Sequence, residues 1–212
     1  MDIYFFDLDK TLYAYDFRYR LPELSRLTGA SQYRLASSWW AGGFEVRAEA
    51  GEWPTADEYL EEFARVTDTR VLSLEEWASA RRLAMRRIPG SVAALARAAE
   101  LGTVSLLSNN PAATATALPL LAPDVVDILG PNRLFSYQLH ARKPGEEIYR
   151  RALANYSRDA ADAFFADDSA ANIAGARAVG ITSHRLTSHD GVYDTGALLA
   201  AIEAFAMRDR HE

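Results

Sequence analysis

The stretch Phe5-Phe6-Asp7-Leu8-Asp9-Lys10-Thr11-Leu12 decides the fold predicted for this chain. It ends a run from Met1 to Phe6 that is apolar apart from Asp2. Such a run is typical of a strand buried on both faces of a parallel sheet. Side chains two positions apart on a strand point the same way, so Asp7 and Asp9 are expected to converge where the strand ends. Ligands of open parallel sheets bind at that edge, so the pair marks a candidate site.

Two carboxylates at such an edge suit a two-step reaction. One can attack an electrophile and form an aspartyl-phosphate, while the other donates and then accepts a proton. Two close anions resist ionising together, and a hard cation with oxygen ligands would relieve that repulsion. The alternative reading of Asp-x-Asp-x-Thr is an acidic turn that merely ends a strand, and the rest of the chain decides between the two.

A long helical segment follows the first strand. From about Pro22 to Ile88 the signals are helical, with capping boxes at Thr55-Ala56-Asp57-Glu58 and Ser73-Leu74-Glu75-Glu76. The second of these helices is expected to continue to Met85 and Ile88. The segment is too long for an ordinary connection between a strand and a helix. We therefore predict a core domain of residues 1–13 and 89–212, and an inserted helical cap of residues 14–88.

Strands and helices alternate after the insert. This order predicts an α/β fold, a doubly wound parallel sheet with a Rossmann-like core and an inserted α-helical cap. A terminal helix is predicted from Asp194 to Met207. The predicted later strands are Thr103 to Leu107, Leu134 to Leu139, Ala163 to Ala166 and Ile181 to Leu186.

Polar side chains follow several of these strands. Four carboxylates at one edge would repel one another without a cation, and ligation by oxygen alone points to Mg²⁺. A lysine and a hydroxyl are suited to holding phosphate oxygens. The polar residues after the predicted strands are Ser108, Asn109, Lys143, Asp167 and Asp168.

Composition narrows the function further. Hydrophobic residues make up 49% of the chain, the net charge is −6 and the pI is about 5.3, which favours neither nucleic acid nor an anionic membrane surface. The absence of cysteine excludes disulfides and thiol nucleophiles. No targeting segment or membrane span is recognised, so we expect a cytoplasmic protein. The side chains suited to phosphate indicate a small phosphorylated metabolite as its partner, and we expect a monomer or a homodimer.

The whole pattern resembles the haloacid dehalogenase superfamily, in the branch of phosphatases with a helical cap inserted after the first motif. Four motifs occur in the family's order and together span the chain. They are Phe-Asp-Leu-Asp-Lys-Thr-Leu, Leu-Leu-Ser-Asn, Arg-Lys-Pro and Phe-Phe-Ala-Asp-Asp-Ser-Ala-Ala-Asn-Ile. Lys10 is a departure, because the family often has glycine at that position.

The resemblance implies a role for each matched residue. Asp7 would be the nucleophile, and Asp9 the acid and base whose backbone carbonyl also meets Mg²⁺. Ser108, with Asn109 beside it, and Lys143 would bind the transferring phosphoryl group. Asp7, Asp9, Asp168 and Asp167 would form the metal site, and which of Asp167 and Asp168 binds the ion directly stays open.

Several functions remain compatible with the sequence. The leading interpretation is a Mg²⁺-dependent phosphatase of a small phosphomonoester, either a sugar phosphate or a nucleoside monophosphate. A 2-haloacid dehalogenase of the same fold is an alternative, although dehalogenation needs neither a leaving-group acid nor a metal, and that branch lacks the second aspartate. A phosphomutase is the other alternative.

Overall fold

A five-stranded parallel sheet forms the centre of the computed structural model, which describes residues 1–208; residues 209–212 of the predicted core lie outside this range. The strand order is β5-β4-β1-β6-β7, so the first strand of the chain lies in the middle. The strands of the described chain are β1 (Ile3–Phe6), β2 (Tyr13–Tyr15), β3 (Met85–Arg87), β4 (Thr103–Ser108), β5 (Arg133–Phe135), β6 (Ala163–Asp167), β7 (Thr182–Arg185), β8 (Ser188–His189) and β9 (Val192–Tyr193).

Helices cover both faces of this sheet, which confirms the predicted α/β fold. The predicted terminal helix is present, and Asp194 caps it by accepting a hydrogen bond from the backbone of Ala197. The α-helices are α1 (Phe17–Thr28), α2 (Gln32–Leu35), α3 (Phe44–Glu49), α4 (Ala56–Thr67), α5 (Leu74–Leu83), α6 (Pro89–Leu101), α7 (Ala112–Leu121), α8 (Pro123–Leu129), α9 (Ser136–Leu139), α10 (Glu146–Asn155), α11 (Ala170–Ala178) and α12 (Thr195–Ala206).

The alternation of side chains along β1 explains why the sheet is buried on both faces. Tyr4 and Phe6 point into one hydrophobic cluster, which also contains residues of α6 and α12. Ile3 and Phe5 point into another, built with α10 and α11. All four side chains are fully buried. A strand that is apolar on both sides is therefore fixed at the centre of the sheet, and its carboxyl end lies among those of its neighbours.

Helices α1 to α5 and a π-helical turn at Ala36–Trp40 form the inserted segment. Both predicted capping boxes are present, at Thr55 and at Ser73. Trp39 is fully buried among aromatic rings at the centre of this bundle. The same hydrophobic cluster includes three residues of α7, a core helix: Ala113, Ala117 and Leu121. The inserted bundle is therefore packed on the core through α7.

Two predicted elements are wrong in part. The helix after Ser73 ends at Leu83, and Met85–Arg87 forms strand β3 instead, pairing antiparallel with β2. This two-stranded ribbon carries the chain into and out of the bundle. The predicted strand from Leu134 to Leu139 ends at Phe135 and continues as helix α9, where Gln138 accepts a hydrogen bond from the Phe135 amide.

A short hairpin of β8 and β9 was not predicted. Its turn, Asp190-Gly191, has positive φ at both residues, as the tight turns of two-residue hairpins require. Within residues 1–208, no single helix combines the length and apolarity needed to cross a membrane; only α7 and α8 taken together, which are bent by 102° at their junction, meet those two criteria.

Candidate active site

A tight turn after β1 presents the first two carboxylates. The Asp7 amide still donates to the Ala166 carbonyl at 2.9 Å, so Asp7 extends the sheet by one residue. The chain then turns, and the Lys10 amide donates to the Tyr13 carbonyl at 2.6 Å. Lys10 has a φ of 62°, in the left-handed region that favours glycine, so the lysine adopts a backbone conformation that glycine would adopt more readily. Its side chain is exposed.

Asp7 is buried between two donors, one at the end of β4 and one in the loop between α9 and α10. The Ser108 hydroxyl donates to Asp7 Oδ1 at 2.7 Å, and Lys143 Nζ lies 2.9 Å from the same oxygen. Burial raises the pKa of Asp7 to about 7; the Asp167 carboxylate adds to the rise, whereas Lys143 and Ser108 oppose it. The ends of β4 and β6 and the loop that carries Lys143 thus bring three of the predicted residues together around the predicted nucleophile.

Lys143 links the first and fourth motifs. Its side chain is buried, and Nζ donates to Asp167 Oδ2 at 2.6 Å as well as pairing with Asp7. Burial alone would lower the pKa of Lys143, but the two carboxylates raise it above its ordinary value. The ammonium therefore stays charged at the centre of the site.

Asp167 is held by the start of α11 as well as by Lys143. The Ser169 amide donates to its Oδ1 at 2.8 Å, and Asn172 Nδ2 lies 3.0 Å from both of its oxygens. Asp168 is half-buried. Among the described contacts, its carboxylate accepts no hydrogen bond from Lys143, Ser169 or Asn172, the donors that hold Asp167. Burial and the adjacent Asp167 raise the pKa of Asp168, against the effect of Lys10 and Lys143.

Three of these carboxylates form a group suited to a metal ion. Oxygen atoms of Asp7, Asp167 and Asp168 lie within 4.8 Å of one another, close enough to share one cation. All three offer the hard oxygen ligands that Mg²⁺ prefers. The residues present therefore fit the predicted Mg²⁺ cofactor. The side chain of Asp9 is not in this group; its predicted metal contact is through the backbone carbonyl.

Asp9 is held by a residue that the sequence did not single out. Arg81, on the last helix of the inserted segment, donates from Nη2 to Asp9 Oδ2 at 2.6 Å. The same Nη2 donates to Asn110 Oδ1 at 3.1 Å, and Asn110 Nδ2 lies 3.2 Å from Asp9 Oδ2. Arg81 is 2% exposed. Asp9 Oδ1, in contrast, is buried with no hydrogen-bond partner among the described residues. One oxygen is therefore fixed while the other is free to exchange a proton.

Asn110 also connects Asp9 with the second motif. Its Nδ2 donates to the Ser108 hydroxyl at 3.0 Å, and its backbone amide donates to the Ser136 hydroxyl at 3.1 Å. Asn109 points elsewhere. Its side-chain amide donates to the Lys143 carbonyl and its oxygen accepts from the Lys143 amide, both at 2.9 Å. Asn109 thus holds the loop that carries Lys143, and its contact with phosphate stays a prediction.

The charges of the site do not balance without a cation. Asp7, Asp9, Asp167 and Asp168 supply four negative charges when ionised. Among the described contacts, Arg81 and Lys143 are the buried cations paired with them. Two negative charges remain, and a divalent cation would neutralise them.

A second ion pair joins the inserted segment to the core beside the site. Arg142 Nε donates to Glu49 Oε2 at 2.8 Å. Burial raises the pKa of Glu49 to about 7, with Glu45 and Asp9 adding to the rise and Arg142 opposing it. Arg81 and Glu49 both belong to the predicted cap, so this segment contacts the site directly.

Comparisons with known proteins agree with this geometry. The family model of haloacid dehalogenase-like hydrolases matches residues 1–180. No curated protein is significantly similar in sequence. A haloacid dehalogenase family enzyme from Bacteroides thetaiotaomicron has a TM-score of 0.73 and 19% identity, over 90% of this chain and 96% of that one. A 2-haloacid dehalogenase from Pseudomonas syringae has a TM-score of 0.68 and 17% identity, over 97% and 99%.

A phosphatase of the same superfamily from Thermococcus onnurineus is a third similar structure, with a TM-score of 0.61 and 19% identity over 90% of this chain and 88% of that one. At these identities the likeness shows a shared fold. The family model, in contrast, covers most of the chain, including every residue of the site described above. The chain belongs to the haloacid dehalogenase-like hydrolases.

Proposed function

We propose that this hydrolase is a Mg²⁺-dependent phosphatase that cleaves a small phosphomonoester through an aspartyl-phosphate. The observation that carries the proposal is the arrangement of Asp9. Arg81 and Asn110 hold one of its oxygens, and the other is buried without a hydrogen-bond partner among residues 1–208. A proton donor of this kind is useful when the leaving group is an alcohol, which must be protonated.

The residues support each step of this reaction. An oxygen of Asp7 forms a bond to phosphorus while the bond from phosphorus to the leaving oxygen breaks, and Asp9 gives that oxygen its proton. Asp9 then takes a proton from water, the water oxygen bonds to phosphorus, and the bond to Asp7 breaks to release phosphate. Lys143 and Ser108 fix the Asp7 carboxylate and are placed to hold phosphoryl oxygens.

Mg²⁺ bound by the carboxylate group would neutralise the phosphoryl charge and allow Asp7 to remain ionised. Both oxygens of Asp167 already accept hydrogen bonds from Lys143, Ser169 and Asn172, which supports Asp168 as the direct ligand and Asp167 as its support. One structure of the Bacteroides enzyme is a complex with magnesium and inorganic phosphate, which agrees with the proposal.

A 2-haloacid dehalogenase is the competing function, because two of the similar structures are such enzymes. A halide leaves without a proton and needs no metal, so that reaction would use Asp7 as the nucleophile but would have no use for Asp9 or for a metal ion at the carboxylate group. A phosphomutase of the same fold would use Asp9 and the carboxylate group but return the phosphoryl group to a second hydroxyl.

We further propose a cytoplasmic monomer or homodimer that binds neither nucleic acid nor membrane.

One panel of substrates separates these functions. Purified protein is assayed with phosphomonoesters and 2-haloacids, with Mg²⁺ and with a chelator. Release of phosphate that requires Mg²⁺ is expected. Release of halide that persists in the presence of chelator would favour a 2-haloacid dehalogenase over a phosphatase. Conversion of a sugar phosphate to its isomer with a bisphosphate activator, without net phosphate release, would show a mutase.

A further inference from the structure

A groove beside the metal group has no role in the chemistry described so far. It lies between the ribbon of β2 and β3 on one side and the hairpin of β8 and β9 on the other. Two adjoining cavities, of about 590 Å³ and 400 Å³, share the side chains of Tyr15 and Tyr193. Each falls within the range typical of small-molecule sites, roughly 300–1,000 Å³. We call the two cavities together the tyrosine groove.

The tyrosine groove adjoins the carboxylate group, and one residue of its wall contacts the arginine that holds Asp9. Its smaller cavity is lined by Asp168 and Lys10, next to the carboxylate group. Its shared wall, Tyr15, has the Arg81 guanidinium 5.0 Å from its ring centre, and Arg81 donates to Asp9. A phosphoester bound with its phosphoryl group at Asp7 therefore has the groove as adjacent space for its alcohol.

The lining of the larger cavity is aromatic and apolar. Tyr15, Tyr19 and Tyr193 surround it together with Leu83 and Met85. Tyr19 is 63% exposed and Leu83 59% exposed, although large apolar side chains of soluble proteins are usually buried. A cluster of exposed apolar side chains at one cavity indicates a binding surface. Several tyrosine rings around one slot favour a planar ring as the ligand, since aromatic faces stack on one another.

Positive charge lies at the edges of the groove. Lys10 and Arg185 line the smaller cavity and Arg86 the larger one. Arg185 Nε donates to the Asp168 carbonyl at 2.9 Å, so this cation is beside the metal group. Asp16, the other acidic residue of the lining, is already paired with Arg18. The charge of the edges therefore suits an anionic ligand.

We propose that the tyrosine groove binds the leaving group of the substrate and that this leaving group carries a planar aromatic ring, as a nucleoside does. The proposal rests on the proposed phosphatase function, which leaves sugar phosphates and nucleoside monophosphates open. The groove favours nucleoside monophosphates, because its walls offer aromatic rings and methylene groups. Its neutral hydrogen-bonding side chains are Thr187 and Ser188 in the smaller cavity and the tyrosine hydroxyls, which are few for a sugar.

The test compares substrates that differ only by the base: uridine and adenosine 5′-monophosphate against ribose 5-phosphate. We expect the ratio of kcat/KM for the better nucleotide to kcat/KM for ribose 5-phosphate to be at least ten. Tyr19→Ala and Tyr193→Ala should each lower that ratio at least fivefold, because base stacking on an aromatic ring contributes about 1–3 kcal/mol by alanine substitution. Tyr33→Ala is the control: Tyr33 is 82% exposed on α2, outside the groove, and this variant should keep the ratio.

Further measurements keep the outcomes distinct. Thermal unfolding checks each variant, and Tyr19→Ala provides a test in which no buried side chain is lost. Binding of free uridine and adenosine, followed by nuclear magnetic resonance titration, needs no turnover. Nucleoside binding that Tyr19→Ala weakens, in a protein that hydrolyses no phosphoester, would support the groove and refute the phosphatase.

The opposite pattern refutes the groove alone. Hydrolysis of ribose 5-phosphate as efficient as that of both nucleotides, with no effect of Tyr19→Ala or Tyr193→Ala on the ratio, would overturn this proposal and leave the phosphatase standing. A dimer seen by sedimentation that Tyr19→Ala dissociates, without change in nucleotide turnover, would also overturn it, because a second copy would then cover this surface.

Discussion

Replacing Arg81 with methionine tests whether the inserted segment takes part in the chemistry. Methionine keeps much of the buried aliphatic volume and removes the guanidinium that donates to Asp9 Oδ2 at 2.6 Å. General acid and base catalysis contributes about 10²–10⁴-fold to a rate. Asn110 still donates to the same oxygen at 3.2 Å, so only part of this factor should be lost. We expect kcat for an alkyl phosphate to fall about 10–100-fold.

The leaving group provides the discriminating measurement. In the proposed mechanism an alkoxide receives its proton from Asp9, whereas nitrophenolate leaves without one, so only the second step of nitrophenyl phosphate hydrolysis would draw on Asp9. The loss of kcat should therefore be larger for the alkyl ester. Arg81→Lys, which keeps a positive charge, should recover part of the rate. Equal losses for both esters in Arg81→Met would refute a role through proton donation.

Stability must be measured in the same variants. Removing one partner of a buried ion pair costs about 3–5 kcal/mol. The Asp9 side chain is 25% exposed, so water can partly replace the lost guanidinium. We therefore expect Arg81→Met to lower the free energy of unfolding, measured in urea, by about 2 kcal/mol. Arg82→Met is the matched control, because Arg82 is the next residue of the same helix and is exposed. It should leave both kcat and the free energy of unfolding close to those of the original chain.

The other predictions concern the nucleophile, the metal group and the ion pair beside the site. Asp7→Asn should reduce turnover to background while the protein stays folded, as circular dichroism would show; turnover at the original rate would remove Asp7 from the role of nucleophile. A chelator should abolish phosphatase activity, and Asn172→Ala, which removes one of the three donors that hold the Asp167 carboxylate, should weaken Mg²⁺ activation about tenfold in a metal titration. The pKa of Glu49 is raised from 4.5 to about 7, so the folded protein holds this proton more tightly than the unfolded chain does. The contribution of Glu49 to stability is therefore full below pH 4.5 and is lost as the pH rises through 7. The free energy of unfolding should fall by about 3 kcal/mol at most over this range. Glu49→Gln should flatten the pH dependence of the unfolding free energy between pH 4.5 and 8, and an unchanged dependence would show that another group is responsible.

The sequence predicted the central sheet because its strands carry their own signals. Ile3 to Phe6 is apolar on both faces, and the motif residues follow the strands directly. Parallel strands end at a common edge, and Asp7, Ser108 and Asp167 meet there because β4 and β6 both pair with β1. The sequence gives no comparable signal for β3, whose residues Met85–Arg87 are extended because they pair with β2.

The contribution of Arg81 could not be predicted for a similar reason. Arg81 and Arg82 are adjacent and chemically identical, and only the packing of α5 against the core determines that Arg81 faces Asp9 and is buried while Arg82 is exposed. Asn110 was passed over because it follows the Ser-Asn pair of the motif by one position. Its side chain is placed by the turn before α7, which the sequence does not specify. Both residues depend on contacts distant in sequence.

The packing of the inserted segment on α7 explains why these contacts belong to the site. Helix α7 begins two residues after Asn110, and its Ala113, Ala117 and Leu121 are part of the hydrophobic cluster of the inserted bundle. The helix that follows the second motif and the helix that carries Arg81 are thus joined by one apolar contact surface. Any displacement of the bundle that separates α5 from α7 would expose this surface and also draw Arg81 away from Asp9. Because apolar burial opposes such a separation, we infer that Asp9, the proposed proton donor, is positioned most firmly when the bundle is seated on α7. The tyrosine groove lies on the side of the β2–β3 ribbon and is lined by Asp168, so a substrate can reach this carboxylate without that separation.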